Sequence, residues 1–316
     1  VQAALAWLDR RAPLVSLFIL VVLLSLRSER FLTPINLRSI GQQVAAPAMV
    51  ALGETFVIIS GGIDLSVGSV LALSGVIAGQ CMVHRGWDPW LSCLLGIMTG
   101  ALCGALTGLL IAKTRIPPFI MTLGMMGMAR GATLILTQGV PVHGIPESVQ
   151  VLGGNVPGWE VTPVWLLLGV AFFLHLLLSQ TVFGRHTYAM GGSPQAARLS
   201  GVPLNRMLVL VYGLSGLCAG LAGIVLMART VSAQPTAGEM YELDAIAAAV
   251  VGGASLMGGQ GTIVGTLAGA LTIAILRNGC NLLNISAYWQ QVTIGALIPL
   301  AVLYDNWRRY RRGELT

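Results

Sequence analysis

The stretch VIISGGIDLSVGSVLALSGVIAG, Val57 to Gly79, is apolar enough for a bilayer, yet it holds Asp64 and the pair Gly61-Gly62. A charged carboxylate at the membrane centre costs at least about 2.5–3.5 kcal/mol, so one that stands there needs a reason. Glycine weakens a helix by about 1 kcal/mol per residue and admits backbone angles closed to other residues. A helix break at Gly61-Gly62 frees N–H and C=O groups, which the bilayer tolerates only where protein or a water-lined cavity satisfies them. Asp64, with Ser66 two positions on, can accept from the first N–H groups of the next helix, where negative charge is also favoured. The break can equally line a polar pathway. The two roles are compatible.

Composition supports the membrane reading. Of 316 residues, 55% are hydrophobic and 9% charged, against about 25% charged in soluble domains; the mean hydropathy is +0.80. Several apolar runs reach the roughly 20 residues that a spanning helix needs, and the short alternating segments of a β-barrel are not seen. The fold class is therefore all-α, a polytopic helical membrane protein with interrupted helices. The net charge of +6 does not argue for nucleic acid, because arginines sit in loops and in NWRRYRR, Asn306 to Arg312, as expected at cytoplasmic span ends. Cys81, Cys93, Cys103, Cys218 and Cys280 lie in or beside apolar runs, without the spacing of a metal site or disulfide framework. The apolar residues 14–26 follow Arg10 and Arg11 with no small-residue cleavage pattern, so a retained first span is expected.

Spans are predicted at 13–26, 44–60, 66–83, 91–112, 118–137, 163–179, 207–228, 245–257, 262–283 and 287–304, about ten in one membrane domain covering 1–316. With the N-terminus inside, the cytoplasmic pieces hold eleven of the eighteen basic residues: Arg10, Arg11, Lys113, Arg115, Arg185, Arg198, Arg206, Arg308, Arg309, Arg311 and Arg312. That bias places both termini in the cytoplasm. The outer segment RSERFLTPINLRS is expected to lie on the membrane surface as a short amphipathic helix. Gly96, Gly100, Gly104 and Gly108 repeat every four residues, as Gly216 and Gly220, and Gly265 and Gly269, do once. Small residues on one face let backbones approach closely in lipid. A second interruption is VVGGASLMGGQGTIVG, Val250 to Gly265, and paired broken segments point to a transport pathway.

Enzyme readings fail in turn. Gly213-Leu214-Ser215-Gly216 fits the G-x-S-G of intramembrane serine proteases, but His84, His143, His175 and His186 all precede Ser215, whereas those enzymes place the base later. His175, alone in a span, is expected in an interhelical hydrogen bond. The single lysine, Lys113, precedes Thr114, but Ala112 and Thr107 occupy the glycine positions of a phosphate loop. Any ATP-driven work needs a motor on another chain. Glu54 lies ten residues before Asp64 and can face the interior or pair with Arg130. A proton-coupled secondary transporter of a small polar solute is thus the alternative on physical grounds.

Three blocks then carry a resemblance: SGGIDLSVGS (Ser60–Ser69), GRHTYAMGGSPQAARLSGV (Gly184–Val202) and SAQPTAGEMYELDAIAAAVVGGASLMGGQGTIVGTLAGAL (Ser232–Leu271). Their order and spacing, across roughly 30–305, resemble the membrane permeases of bacterial ATP-binding-cassette sugar importers, ribose-type branch. The resemblance implies a non-catalytic permease for ribose or a similar pentose in the bacterial inner membrane. It implies a second permease copy, a homodimer being expected, a periplasmic sugar-binding protein and a cytoplasmic ATPase. This chain would hold no cofactor of its own, with ATP and magnesium on the ATPase. Residues 184–201 match the loop that engages the ATPase, nominating Gly184, Arg185, Tyr188, Gly191, Gly192, Ser193, Ala196, Ala197, Arg198 and Gly201. Within it, Gly191-Gly192 is expected to turn, and Ser193 to cap a short helix with Pro194 at its first position. The path candidates are Gly61, Gly62, Asp64, Ser66, Asn278, Asn281 and Gln290. Glu239, Glu242 and Asp244 suit a helix start and could meet basic residues of the binding protein.

Overall fold

A computed structural model describes residues 2–114 and 116–311 of the chain. In order, the helices are α1 (Gln2–Arg27), α2 (Pro34–Ile59), α3 (Val67–Gly79), α4 (Pro89–Thr114), α5 (Pro118–Thr137), α6 (Glu147–Gln150), α7 (Thr162–Gln180), α8 (Val182–Gly192), α9 (Pro194–Leu199), α10 (Leu204–Thr230), α11 (Tyr241–Val251), α12 (Ile263–Leu282) and α13 (Ala287–Arg311). A π-helical turn, Gln80–His84, lengthens α3. Two short strands, β1 (Val142–His143) and β2 (Ser232–Ala233), pair antiparallel and tie the loop after α5 to the end of α10. Prolines open α2, α5 and α9, where a missing N–H costs nothing.

Among the described residues, seven helices are long and apolar enough to cross a membrane: α2, α3 with its π turn, α4, α5, α7, α10 and α12. The expected ten would add α1, whose apolar part is Pro13–Arg27, α11, with 11 residues, and α13. The spans differ in place. The apolar window of α2 is 83% buried, that of α3 with its π turn 78% and that of α10 61%, against 22% for α5 and 28% for α7. So α2, α3 and α10 form the centre, and α5 and α7 present Ile135, Trp165, Phe172 and Phe173 outward.

Small residues draw this centre together, as expected. On α4, a side-chain carbon at Gly100 would overlap the Gly216 carbonyl oxygen of α10, and one at Gly104 that of Tyr212. At Gly108 it would stand 2.6 Å from the Leu208 oxygen. These three glycines lie along one partner, so α4 and α10 pack backbone against backbone, while Gly96 faces the Ser74 carbonyl of α3. Gly265 and Gly269 of α12 do the same against Gly252 and Ala248 beside and within α11.

Two expectations are corrected here, and one pair of alternatives is decided. Residues 28–33 form turns and α2 begins at Pro34, so the segment is no separate surface helix. Phe31 is buried there against Leu24, Ile40 and Ile275, and this apolar anchor outweighs the polar appearance of the segment. His175 is exposed on α7, and so is not held between helices. Of its two alternatives, Glu54 faces the interior, fully buried, and Arg130 is engaged elsewhere: its Nη1 donates to the carbonyls of Pro235 and Ala237, holding the segment before α11. Arg115 and Arg312, and the side chains of Arg10, Arg11, Arg308, Arg309 and Arg311, lie outside the described residues.

Candidate functional site

The helix breaks as the glycines foretold. After Ile59, the N–H groups of Gly61 and Gly62 turn back onto the carbonyls of Ile58 and Val57, at 2.9 Å each. Gly61 has φ +85°, the left-handed cap that glycine adopts freely. A side-chain carbon at Gly62 would overlap the Tyr212 hydroxyl. The chain then runs to Asp64, which is 1% exposed.

Asp64 is satisfied almost wholly by neutral donors. Its Oδ1 accepts from the Ser66 N–H at 3.0 Å and the Ser66 hydroxyl at 2.6 Å, and its Oδ2 from the Ser215 hydroxyl at 3.1 Å. Its own N–H donates to Glu54 Oε1 at 2.9 Å. Ser66 is the residue that precedes α3, and that helix has no side-chain cap hydrogen bond, so the aspartate orders the turn ahead of the helix and does not cap its first N–H groups as expected. It also links the break to the middle of α10 through Ser215. The G-x-S-G serine thus spends its hydroxyl on a carboxylate. Glu54 Oε2 and the Tyr212 hydroxyl are buried here with no protein partner among the described residues.

The second break meets the first. Between α11 and α12, residues 252–262 form turns in which Gly253, Gly258 and Gly259 have positive φ. The Gly259 N–H donates to the last carbonyl of α2, that of Ile59, at 2.8 Å. The end of α8 closes on the same point. A side-chain carbon at Gly191 would overlap the Ile59 oxygen and stand 2.6 Å from the Gly259 nitrogen. The Tyr188 hydroxyl donates to the Gly261 carbonyl at 2.7 Å. Three chain segments far apart in sequence therefore touch with no side chains between them.

Residues 184–201 are more ordered than a loop. Thr181 caps α8, accepting from the Gly184 N–H at 3.3 Å, and α8 continues through Gly191-Gly192. The pair ends a helix and does not form the expected turn, because Gly191 is pinned in the backbone junction. Ser193 caps α9 as expected, accepting from the Ala196 N–H at 3.3 Å, with Pro194 at the first position. On α9, Ala197 is buried while Ala196, Arg198 and Leu199 are exposed, Leu199 at 90%. Gly184 sits tight against the Leu178 carbonyl, Arg185 is exposed, and Gly201 has φ +82° where the chain turns toward α10.

The remaining path candidates are not gathered with Asp64. Asn278 and Asn36 exchange amide hydrogen bonds at 2.8 and 3.0 Å. Eighteen residues separate Asn36 from Glu54 on α2, about 27 Å of helix. Gln290 donates to Asn281 Oδ1 at 2.7 Å. Gln290 also lines a cavity of about 370 Å³ between α11, α12 and α13. Asp244, one of the three acidic residues that could meet a binding protein, is buried and accepts from Arg277 Nη2 at 2.7 Å. Sequence reading left Arg277 without a role, since a pairing across 33 residues leaves no local signal; its place in an apolar span was the available hint.

The family described as "Branched-chain amino acid transport system / permease component" matches residues 36–302. The chain is 47% identical over 302 residues to the ribose import permease protein RbsC of Bacillus subtilis (strain 168), spanning 95% of this chain and 93% of that one. It is 46% identical over 305 residues to RbsC of Escherichia coli (strain K12), 95% of each chain. It is 39% identical over 306 residues to the D-allose transport system permease protein AlsC of the same strain, 96% of this chain and 93% of that one.

Proposed function

The chain belongs to the permease family of the branched-chain amino acid transport type, and from that premise we propose that it is the membrane subunit of an ATP-binding-cassette importer for ribose or a similar pentose. It is a multi-pass protein of the bacterial inner membrane. As a permease component it works with an ATPase and a substrate-binding protein. The choice of sugar rests on the ribose permeases, at 41–47% identity across nearly the whole chain.

The finer picture is our reading. The 316 residues act as one membrane domain with ten crossings, in which α1, α11 and α13 join the seven long apolar helices. Both termini lie in the cytoplasm. Two copies form the permease pair. ATP and magnesium belong to the ATPase, and this chain carries no cofactor.

The observation that carries this reading is the junction at Gly191. Residues 184–201 dock on the ATPase through the exposed face of α9, with Ala196, Arg198 and Leu199 outward. Movement of the motor displaces α8. Because Gly191 abuts Ile59 and Gly259 backbone to backbone, and Tyr188 holds Gly261, the displacement passes to both helix breaks without being absorbed by side chains. Packed interiors transmit small shifts for this reason. Gly61, Gly62, Asp64 and Ser66 then move as a unit and open the path, while Asn278, Asn281 and Gln290 belong to its far end.

The test is sugar uptake into liposomes containing the permease, with and without the ATPase and binding protein. Accumulation that needs both partners and ATP is expected. The buried carboxylates Glu54 and Asp64 supply the competing reading, proton-coupled transport. Uptake by the permease alone under a pH gradient would establish that reading and overturn ours.

A further inference from the structure

Two cavities share one wall between α11 and α12. The first, about 150 Å³, is lined by residues that include Gln43, Arg229 and Tyr241. The second, about 370 Å³, opens between α11 and α13, with Glu239, Gln290 and Gln291 on its lining. Asp244 and Arg277 line both. They form the wall through one contact, Nη2 to Oδ1 at 2.7 Å, and not the two-pronged clasp that these planar groups allow. The carboxylate is 7% exposed and the guanidinium side chain 37%, so one member is held inside and the other stands at the opening. A strap between helices needs no cavity on either side of it.

Resting on the reading above as a sugar permease, we propose that the two cavities form a transient binding site for a small uncharged polyol, a monosaccharide, with the Asp244–Arg277 pair as its movable partition. The lining charges balance: Glu239 and Asp244 against Arg229 and Arg277. A balanced site favours a ligand without net charge. Adjacent hydroxyls match a carboxylate and a guanidinium, because each hydroxyl both donates and accepts. The amides of Gln290 and Gln291 and the ring of Tyr241 complete the mix of polar groups and apolar faces found at small-molecule sites. Together the cavities fall in the lower part of the roughly 300–1,000 Å³ range of such sites. When the sugar takes over the bonds of the pair, the partition opens and the two spaces become one passage.

The experiment uses the full transporter, with ATPase and binding protein, in liposomes, and records ribose uptake and ATP hydrolysis together. Arg277→Met and Asp244→Asn should lower uptake per ATP about tenfold, the worth of a lost hydrogen bond to a charged group. ATP hydrolysis should stay near the wild-type rate. The exchange of the two charges, Asp244→Arg with Arg277→Asp, should not restore uptake, since the carboxylate would then stand at the opening. Gln291→Leu, at an exposed lining position, should lower uptake severalfold, and it decides alone if the charge variants fail to assemble with the ATPase. Wild-type uptake in Gln291→Leu and Arg277→Met, or full recovery in the exchanged pair, overturns the inference and leaves the transport reading standing. If the wild-type complex moves no pentose, that reading falls and the inference with it.

Discussion

Asp64 shows what a single residue can fix. It collects three hydrogen bonds from Ser66 and Ser215 while its backbone binds Glu54. Removing it would leave buried hydroxyls without an acceptor, at about 1–3 kcal/mol for an orphaned group. Asp64→Ala should therefore lower the thermal midpoint of the detergent-solubilised protein clearly, and Asp64→Asn, which keeps one acceptor oxygen, should lower it less. Equal midpoints for Asp64→Ala and wild type would remove the aspartate from the structural core. Tyr188 acts differently, through one bond to the Gly261 carbonyl. Tyr188→Phe should leave insertion and ATP hydrolysis intact while uptake per ATP falls severalfold; unchanged stoichiometry would show that the bond carries no motion. Asp64 and the Gly61-Gly62 pair were legible because each breaks a rule of its apolar surroundings. Ser215 was not, because its partner lies 151 residues away and a serine in a span strains nothing by itself.

Elements were legible to the extent that their signal is local. The period of four on α4 announced close packing, but a period does not name its partner, and only the folded chain sets Gly100, Gly104 and Gly108 against α10. Substituting Gly104 with Val pushes a branched side chain into the Tyr212 carbonyl. Overpacking of this sort costs about 1–3 kcal/mol, and Gly124→Val, where nothing lies within 4 Å, is the control that should melt like wild type. A similar loss for both substitutions would mean that helix propensity and not contact sets the cost. The α8 helix escaped notice because two glycines and a run of polar residues read as loop. Its order comes from the Thr181 cap and from the buried Thr187 and Met190, a tertiary gain that propensity does not record. On α9, Leu199 is 90% exposed beside the buried Ala197. Leu199→Glu should thus reduce co-purification of the ATPase with little change in permease yield. Ala197→Glu should harm the permease itself.

At the scale of the whole molecule, length and apolarity single out seven helices able to cross a membrane among the described residues, and the proposed ten-span reading adds α1, α11 and α13. The short α11 illustrates why they are hard to count: 11 residues cover about 16 Å, half a bilayer core, and Gly252 stops the helix there. Its ends are nonetheless placed by neighbours, one by the Gly259–Ile59 bond beyond the break and the other by Arg130 holding Pro235 and Ala237. If the N-terminus is cytoplasmic and α1 crosses along with α2, α3, α4, α5 and α7, Trp159 lies on the outer face and Leu199 in the cytoplasm. Both are exposed, so cysteines placed there should answer a membrane-impermeant maleimide. Cys103 and Cys280 would first be replaced, as the partly exposed members of the five native thiols. In intact spheroplasts Trp159→Cys should label and Leu199→Cys should not; in inverted vesicles the pattern should reverse. Labelling of Leu199→Cys from the outer face would put the α8–α9 segment out of reach of any cytoplasmic motor, and the junction at Gly191 would then have nothing to transmit.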